Sequence, residues 1–345
     1  MNKNFFSLLT ILSIAALLTF FNVPLASSQG LTIVASEFKG DLPANDPAAA
    51  AWQKTSVVEV PLSAQNVMKP QILNTKVKSV KVRSLYNDSQ VAILVEWGDE
   101  TKNEEMVRVQ DFRDSVAVQF PLNVTTPFFC MGQQGGNVTL WHWKADWQAD
   151  ITARKDMQTL YPNMYSDQYP FAKGDAVNAI APKDYTDPNY LPALASNNLF
   201  ASAVRTTPVE NLIAGGFGTL TSRAANAQVV QGFGAWKENK WQVIFTRALT
   251  VKEADDISFA NGKVYPVAFA AWDGANGERN GMKSTSQWVS LQLGGTAPGA
   301  SKEETKAPTN FEGIVWAGLP MLMLTGAVLT LLALIFLISK LPGKK

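Results

Sequence analysis

The chain has 345 residues and a formal net charge of +1, from 30 basic and 29 acidic side chains. This balance gives no basic stripe of the kind that binds nucleic acid. The single cysteine and the single histidine exclude intrachain disulfides, cysteine-based zinc sites and metal sites built on several histidines. Catalysis by a histidine base would have to use His142, which alternates with tryptophans and is more simply interpreted as a structural side chain.

The N-terminal segment is typical of a secretory signal peptide. Lys3 precedes an apolar run over residues 5–21, and small residues follow up to Ser28. Segment 1–28 is therefore expected to be removed, which leaves an exported domain over residues 29–293. The alternative is an uncleaved anchor helix, which the short apolar run disfavours because it barely reaches the length of a membrane span.

The C-terminal segment predicts a membrane anchor. Residues 294–313 are rich in Gly, Ala, Pro, Ser and Thr and predict a linker. Residues 314–338 carry no charge and extend about 37 Å as a helix, enough to cross a bilayer core of about 30 Å. Lysines in the tail 339–345 predict, by the positive-inside rule, a cytoplasmic tail and a main domain on the periplasmic side of the cell membrane.

The exported domain is predicted to be an all-β sandwich. Short runs of alternating apolar and polar residues are separated by turn residues, as in proteins with many short strands. The predicted strands lie in residues 56–62, 77–87, 90–99, 114–122, 137–147, 227–249 (a hairpin around 237–240), 263–274 and 286–293. Residues 148–226 show little periodicity and predict a long irregular insertion with one short helix, which is a candidate docking surface.

Three glycine-rich stretches invite comparison with ligand-binding loops. The runs at 214–222 and 231–236 lack the lysine and the spacing of phosphate-binding loops, so bends or bulges in strands are expected there. The stretch DGANGERNG at 273–281 resembles a calcium-binding loop in composition only. The alternating acidic ligands and the closing glutamate of such loops are missing.

Met131 and Lys283 remain as candidate ligands of a metal. Met131 lies in an apolar, glycine-flanked turn, where a methionine usually fills core space but can also be an axial ligand of haem iron. Lys283 lies among small residues between an apolar strand and the next one. It is either the tip of a solvated hairpin or a lysine drawn inward, where burial favours the neutral amine that can bind iron.

Seven segments occur in an order that resembles one family. They are DPAAAAWQKTSVVEVPL, FRDSVAVQFP, PFFCMG, VTLWHWKADW, GFGTLTS, GAWKENKWQVIFTRAL and VAFAAWDGANGERNGMKSTSQW. Over residues 45–293 the chain is similar to the haem b-binding gamma subunit of ethylbenzene dehydrogenase and its relatives. Those proteins are the gamma subunits of type II molybdenum enzymes of the dimethyl sulfoxide reductase family.

The resemblance implies a β-sandwich that holds one non-covalent haem b between a methionine and a lysine, matched here by Met131 and Lys283. Such a subunit is not itself catalytic. It passes electrons between the iron–sulfur beta subunit, which adjoins the molybdopterin alpha subunit, and an external or membrane redox partner such as a cytochrome. The predicted anchor suits the corresponding subunit of a membrane-associated nitrite oxidoreductase.

The resemblance also suggests residues around the haem. Lys144, in the segment WHWKADW, is the alternative lysine ligand. Arg113 and Arg279 are candidates for holding the haem propionates, and the alternative for each is an ordinary ion pair, with Asp114 and Glu278 respectively. Trp141, Trp143 and Trp272 are expected to line the sandwich core or the wall of the haem site.

A second class of function stays open at this point. A membrane-tethered, glycan-binding β-sandwich with exposed tryptophans would show much the same composition as a haem subunit. A relative without haem, serving as a scaffold subunit, would keep the same strands. Haem binding needs both Met131 and Lys283, whereas sugar binding needs neither.

Overall fold

The computed structural model describes residues 30–123, 131–163, 198–201, 205–252 and 255–295. The predicted signal peptide, membrane segment and cytoplasmic tail lie outside these residues, as does almost all of the predicted linker. Within the described part of the chain, no helix is long and apolar enough to cross a membrane.

The described residues form fourteen strands, three short α-helices and two 3₁₀ turns. The strands are β1 Thr32–Glu37, β2 Val58–Pro61, β3 Ser63–Ala64, β4 Ser79–Tyr86, β5 Gln90–Gly98, β6 Ser115–Pro121, β7 Val138–Lys144, β8 Val209–Ala214, β9 Thr221–Ser222, β10 Gln231–Trp236, β11 Lys240–Ala248, β12 Val264–Trp272, β13 Ser284–Thr285 and β14 Val289–Leu293. The helices are α1 Ala50–Gln53, α2 Ala145–Thr152 and α3 Met157–Leu160, and the 3₁₀ turns are Leu199–Ala201 and Ala225–Ala227.

The strands form two sheets that share strand β12. The first sheet has the order β10-β11-β5-β4-β1-β14, with β2 beside β4, and the second has the order β12-β6-β7-β8-β9, with β13 and β3 beyond β12. Residues 264–267 of β12 pair with β14, and residues 268–272 pair with β6. A strand that passes from one sheet to the other is a common way to close the corner of a sandwich.

Turn chemistry fixes the register of two hairpins. In the β4–β5 turn, the side-chain oxygen of Asn87 accepts hydrogen bonds from the backbone N–H groups of Ser89 and Gln90. In the β10–β11 turn, Glu238 and Asn239 have φ angles of 55° and 56°. Two successive left-handed residues define the tight turn whose twist matches paired strands, so this hairpin lies where the sequence predicts it.

The core between the two sheets is built from aromatic rings. The ring of Trp143 on β7 lies 6.3 Å from the ring of Trp97 on β5 and 4.9 Å from the ring of Trp241 on β11. Trp141 packs 4.9 Å from Phe120. Strand β10 approaches so closely that a Cβ at Gly234 would lie 2.2 Å from Cζ2 of Trp143, which explains the glycine there.

The all-β prediction is confirmed for the described residues, but two of its details are wrong. The predicted irregular insertion 148–226 contains strand β8, which pairs with β7 along its whole length and is an integral part of the second sheet. The strand predicted over 137–147 ends at Lys144, where α2 begins. The chain turns there into α2, on which the ring of Trp147 packs 5.4 Å from the ring of Phe200.

Candidate functional site

The outer face of the second sheet carries the candidate site. Side chains alternate along a strand, so Leu140, His142 and Lys144 of β7 point away from the aromatic core that receives Trp141 and Trp143. We call this surface the outer face. The register places several small and apolar side chains across it, namely Ala117 and Ala270 in the row of His142, and Leu212 in the row of Leu140.

Met131 lies at one end of the outer face. Its side chain is half-buried and packs, together with that of Trp288, against a cluster of buried apolar residues: Val138, Leu140, Leu212 and Ala214. The Met131 carbonyl accepts a hydrogen bond from Gly216 N at 2.9 Å. Gly132 has a φ of 77°, and a Cβ there would lie 2.8 Å from the carbonyl oxygen of Ala214, so only glycine lets this turn lie so close to β8.

Lys283 lies at the other end of the outer face. Its carbonyl accepts a hydrogen bond of 2.9 Å from Gln65 N, which fixes the backbone just before β13. The half-buried side chain places Nζ 4.9 Å from the ring centroid of Trp272. Trp272 is itself oriented by a hydrogen bond from its ring N–H to the carbonyl of Asn280. The lysine is therefore drawn inward onto an aromatic ring and is not the tip of a solvated hairpin.

His142 lies between the two ends. Its ring stacks on Trp272 with centroids 4.8 Å apart, and its Nε2 is buried without a hydrogen-bond partner among the described residues. Burial holds the pKa of this imidazole well below its usual value, and the charges of Lys144, Arg113 and Lys283 lower the pKa further. A neutral imidazole with an orphaned ring nitrogen is thus available to a ligand on this face.

The structure therefore brings Met131 and Lys283 to one surface, although they are far apart in sequence. Sequence reasoning treated His142 as a structural side chain and missed its place in the site. The alternation of Trp141, His142 and Trp143 was the available signal, because it puts the histidine on the face opposite to the two tryptophans.

Lys144, the alternative lysine ligand, is fully buried and engaged in an ion pair with Glu210 of β8. Its Nζ also lies 4.0 Å from the ring centroid of Trp147 and 4.4 Å from that of Phe200. Burial, and secondly the charge of Arg113, lower the pKa of Lys144 to about 8 despite the carboxylate. The partners of this amine make Lys144 a weaker candidate for a metal ligand than Lys283.

The two arginines have partners other than those expected. Arg113 forms an ion pair with Asp146, at 2.7 Å, and not with Asp114. Arg279 is exposed, and its guanidinium lies 4.4 Å from the ring centroid of Phe112 while donating to the carbonyl of Gly277. Both ion pairs expected as alternatives, with Asp114 and with Glu278, are therefore wrong, and a role of the two arginines in holding the propionates stays a prediction.

Comparison with known proteins identifies the family. The family model described as "Ethylbenzene dehydrogenase" matches residues 49–284. The chain belongs to this family.

Two similar proteins align over most of their length with this member of the ethylbenzene dehydrogenase family. A protein of Haloferax mediterranei named as a candidate respiratory nitrate reductase heme subunit is 25% identical over 288 residues, which are 83% of this chain and 79% of that protein. The chlorate reductase subunit gamma of Ideonella dechloratans is 27% identical over 277 residues, 77% of this chain and 86% of that protein. The dimethylsulfide dehydrogenase subunit gamma of Rhodovulum sulfidophilum matches over a shorter stretch, 33% identical over 92 residues, 25% of this chain and 34% of that protein.

Among solved structures, a family 9 carbohydrate binding module from Caldicellulosiruptor kristjanssonii in complex with cellotriose covers 81% of this chain and 100% of its own. Its TM-score is 0.35 at 10% identity. A similarity of this size says nothing about the function of the present chain.

Proposed function

We propose that this chain is a non-catalytic electron-transfer subunit that binds one haem b, with Met131 and Lys283 as the two ligands of the iron. The observation that carries the proposal is the position of both side chains on the outer face of the second sheet. A thioether and a neutral amine can both bind haem iron, and the residues that fix them come from different strands and loops.

The rest of the outer face has the small and apolar side chains that a site for a flat macrocycle needs. Ala117 and Ala270 have small side chains, while Leu140 and Leu212 offer apolar surface beside them. The orphaned Nε2 of His142 is a polar atom that a bound cofactor can satisfy. When bound, haem supplies a reversible one-electron centre.

The protein's own contribution is to hold the two ligands in place. The Gly132 turn and the Gly216 hydrogen bond keep Met131 against β7 and β8. The hydrogen bond from Gln65 fixes the backbone of Lys283, and the Trp272 ring lies beside its amine. Ligands fixed before binding lose little conformational freedom on binding, which favours a tight and uniform site.

We further propose that the subunit relays electrons between the iron–sulfur beta subunit of a molybdenum oxidoreductase, whose alpha subunit carries the molybdopterin, and a cytochrome or other redox partner. Two of the relatives are named as gamma subunits and one as a heme subunit, which supports a subunit role. Residues 314–338 would anchor the complex in the cell membrane with this domain on the periplasmic side. Among enzymes of this class, a nitrite oxidoreductase suits that arrangement.

The glycan-binding alternative depends on tryptophans that can stack on sugar rings. None of the tryptophans that the structure describes is exposed, since each is buried or half-buried. The half-buried Trp236 and Trp288 are the described tryptophans that such a platform could use.

The test is the optical spectrum of the purified full chain reconstituted with haem. Wild type is expected to give the spectrum of a low-spin b-type haem. Met131→Ala and Lys283→Ala should each lose haem or become high-spin, because each removes one iron ligand. The matched controls are Met68→Ala and Lys263→Ala, which change exposed residues of the same two types and should leave the spectrum unchanged.

A folded wild type that binds no haem would overturn the proposed function. A low-spin spectrum that survives Lys283→Ala would keep the haem but reject Lys283 as its ligand, and Lys144→Ala would then be the next variant to measure.

A further inference from the structure

Three buried aspartates converge at one end of the sandwich, away from the Met131 end of the outer face. Asp99 follows β5, Asp114 precedes β6 and Asp273 follows β12. One carboxylate oxygen from each lies within 4.8 Å of the others. Their exposed fractions are 5%, 0% and 8%, so all three carboxylates are removed from bulk water.

The hydrogen bonds of this cluster leave its charge uncompensated. Asp114 accepts from the N–H groups of Gly274 and Asn103 and from the ring N–H of Trp241. Among the described residues, no lysine or arginine forms an ion pair with any of the three aspartates. Neutral donors alone do not offset several buried negative charges held this close together.

One carboxylate oxygen is orphaned. Oδ1 of Asp99 accepts hydrogen bonds from Thr101, whereas Oδ2 is buried and makes no hydrogen bond of normal geometry with the described residues, although the ring N–H of Trp97, itself unpaired, also acts on this carboxylate. A buried carboxylate oxygen without a donor costs free energy unless a proton or a cation satisfies it. This oxygen adds to the grouping of the three aspartates a buried polar atom that a bound cation would satisfy.

Without a cation, the cluster would have to hold protons near neutral pH. Burial, with a contribution from the charge of Asp273, raises the pKa of Asp99 to about 6. Burial and the charge of Asp99 raise the pKa of Asp114 to about 7. A divalent cation would favour the ionised carboxylates and remove this penalty.

We propose that Asp99, Asp114 and Asp273 bind a hard divalent cation of the calcium class. The three side chains offer only oxygen ligands, which this class prefers, and the described part of the cluster contains no histidine or cysteine that would select zinc. The cation would tie together the ends of β5, β6 and β12. It is a site for structure and not for electron transfer, and it does not depend on haem binding.

The contiguous stretch 273–281 contributes one of the three aspartates. This explains why it lacks the ligand spacing of a calcium loop, since the other two carboxylates arrive from residues more than a hundred positions earlier in the chain. A search for local motifs has no means of finding such a site.

The test uses the purified full chain, stripped with EDTA and then titrated with CaCl₂ in a calorimeter. We expect about one calcium per chain by elemental analysis after gel filtration. Calcium should raise the melting temperature and EDTA should lower it, because a ligand of the folded state stabilises that state. Asp99→Asn should weaken calcium binding at least about tenfold by removing one charged ligand. The control Asp41→Asn changes an exposed aspartate and should bind calcium as wild type does.

The same experiments distinguish a cluster that binds a cation from one that is stabilised by protonation alone. If wild type binds no calcium, and its melting temperature is the same in calcium and in EDTA, the proposal is wrong. Asp99→Asn would in that case be at least as stable as wild type, because it removes one of three repelling charges. If Asp99→Asn does not fold, the wild-type titration and the EDTA shift decide alone, and haem-free protein gives the same answer as haem-loaded protein.

Discussion

The two faces of strand β7 are both largely buried, but the inner face is aromatic and the outer face carries polar side chains. The inner side chains Trp141 and Trp143 fill the space between the sheets with rings that touch other rings. The outer side chains His142 and Lys144 are polar and lie among small residues and charged partners. Hydrophobic stabilisation follows the apolar area removed from water, so we expect the inner face to provide stability and the outer face to provide the chemistry of the site.

Trp143→Ala is expected to have the largest effect on stability. The ring is fully buried and lies against Trp97, Trp241 and the backbone of Gly234. Its removal leaves a cavity between two sheets that cannot collapse freely, and should lower the free energy of unfolding by about 3–5 kcal/mol. Urea denaturation of the haem-free chain measures this loss.

The neighbouring outer-face variant His142→Ala is the control for that comparison. It should lower the free energy of unfolding by only about 1 kcal/mol, since the side chain is half-buried and its Nε2 has no hydrogen bond to lose. Equal losses of unfolding free energy for Trp143→Ala and His142→Ala would show that the inner face of β7 contributes no more to stability than the outer face.

Lys144→Met is the next largest prediction. It leaves Glu210 as a buried carboxylate without its cation, and breaking a buried pair in this way costs about 3 kcal/mol or somewhat more. The double variant Lys144→Met, Glu210→Met should recover most of that loss. The haem spectrum of the double variant should match wild type, because Lys283 and not Lys144 is the proposed ligand. A loss of low-spin haem in the double variant would indicate that Lys144, and not Lys283, binds the iron.

The pH dependence of the same pair gives a smaller effect. The pKa of Lys144 is lowered to about 8, whereas an unfolded lysine titrates near 10.4. Between these values the unfolded chain binds more protons than the folded chain, so stability contributed by this residue rises with pH. The free energy of unfolding of wild type should therefore rise relative to that of Lys144→Met from about pH 8 to pH 10. A difference that stays constant over this range would mean that the folded lysine keeps its ordinary pKa.

Sequence patterns predicted most of the longer strands, whether alternating or wholly buried, but missed strands β1 and β8. Strand β8 was hidden because Glu210 and Asn211 are polar yet buried. Residues that only the fold brings close hold both side chains: Lys144 pairs with Glu210, and Val230 N donates a hydrogen bond to the side-chain oxygen of Asn211. Alternation of apolar and polar residues cannot reveal a strand whose polar side chains are buried and bind partners far away in the sequence.

The candidate site also contains residues that the sequence could predict and residues that it could not. Met131 and Lys283 could be proposed from the sequence because few other residues can bind iron and because the family resemblance marks both positions. The alternation along β7 indicates on which side of the strand His142 lies, but the residues around it, like the aspartate cluster, depend on strands from separate parts of the chain. A sequence can identify candidate ligands when few residues have the required chemistry. When common residues such as aspartates form a site, only the fold shows that they lie close together.

Arg279→Gln is expected to have the smallest effect. The arginine is exposed, and its guanidinium contacts Phe112 and the carbonyl of Gly277. Its loss should change the free energy of unfolding by less than about 0.5 kcal/mol and leave the haem affinity unchanged, as measured by denaturation and by haem titration. Arg113→Gln is the informative partner, because it also frees the half-buried Asp146 and should cost about 1 kcal/mol. If Arg279→Gln instead weakened haem binding more than about tenfold, loop 274–282 would have to contact the bound haem. The haem site would then include this loop as well as the outer face.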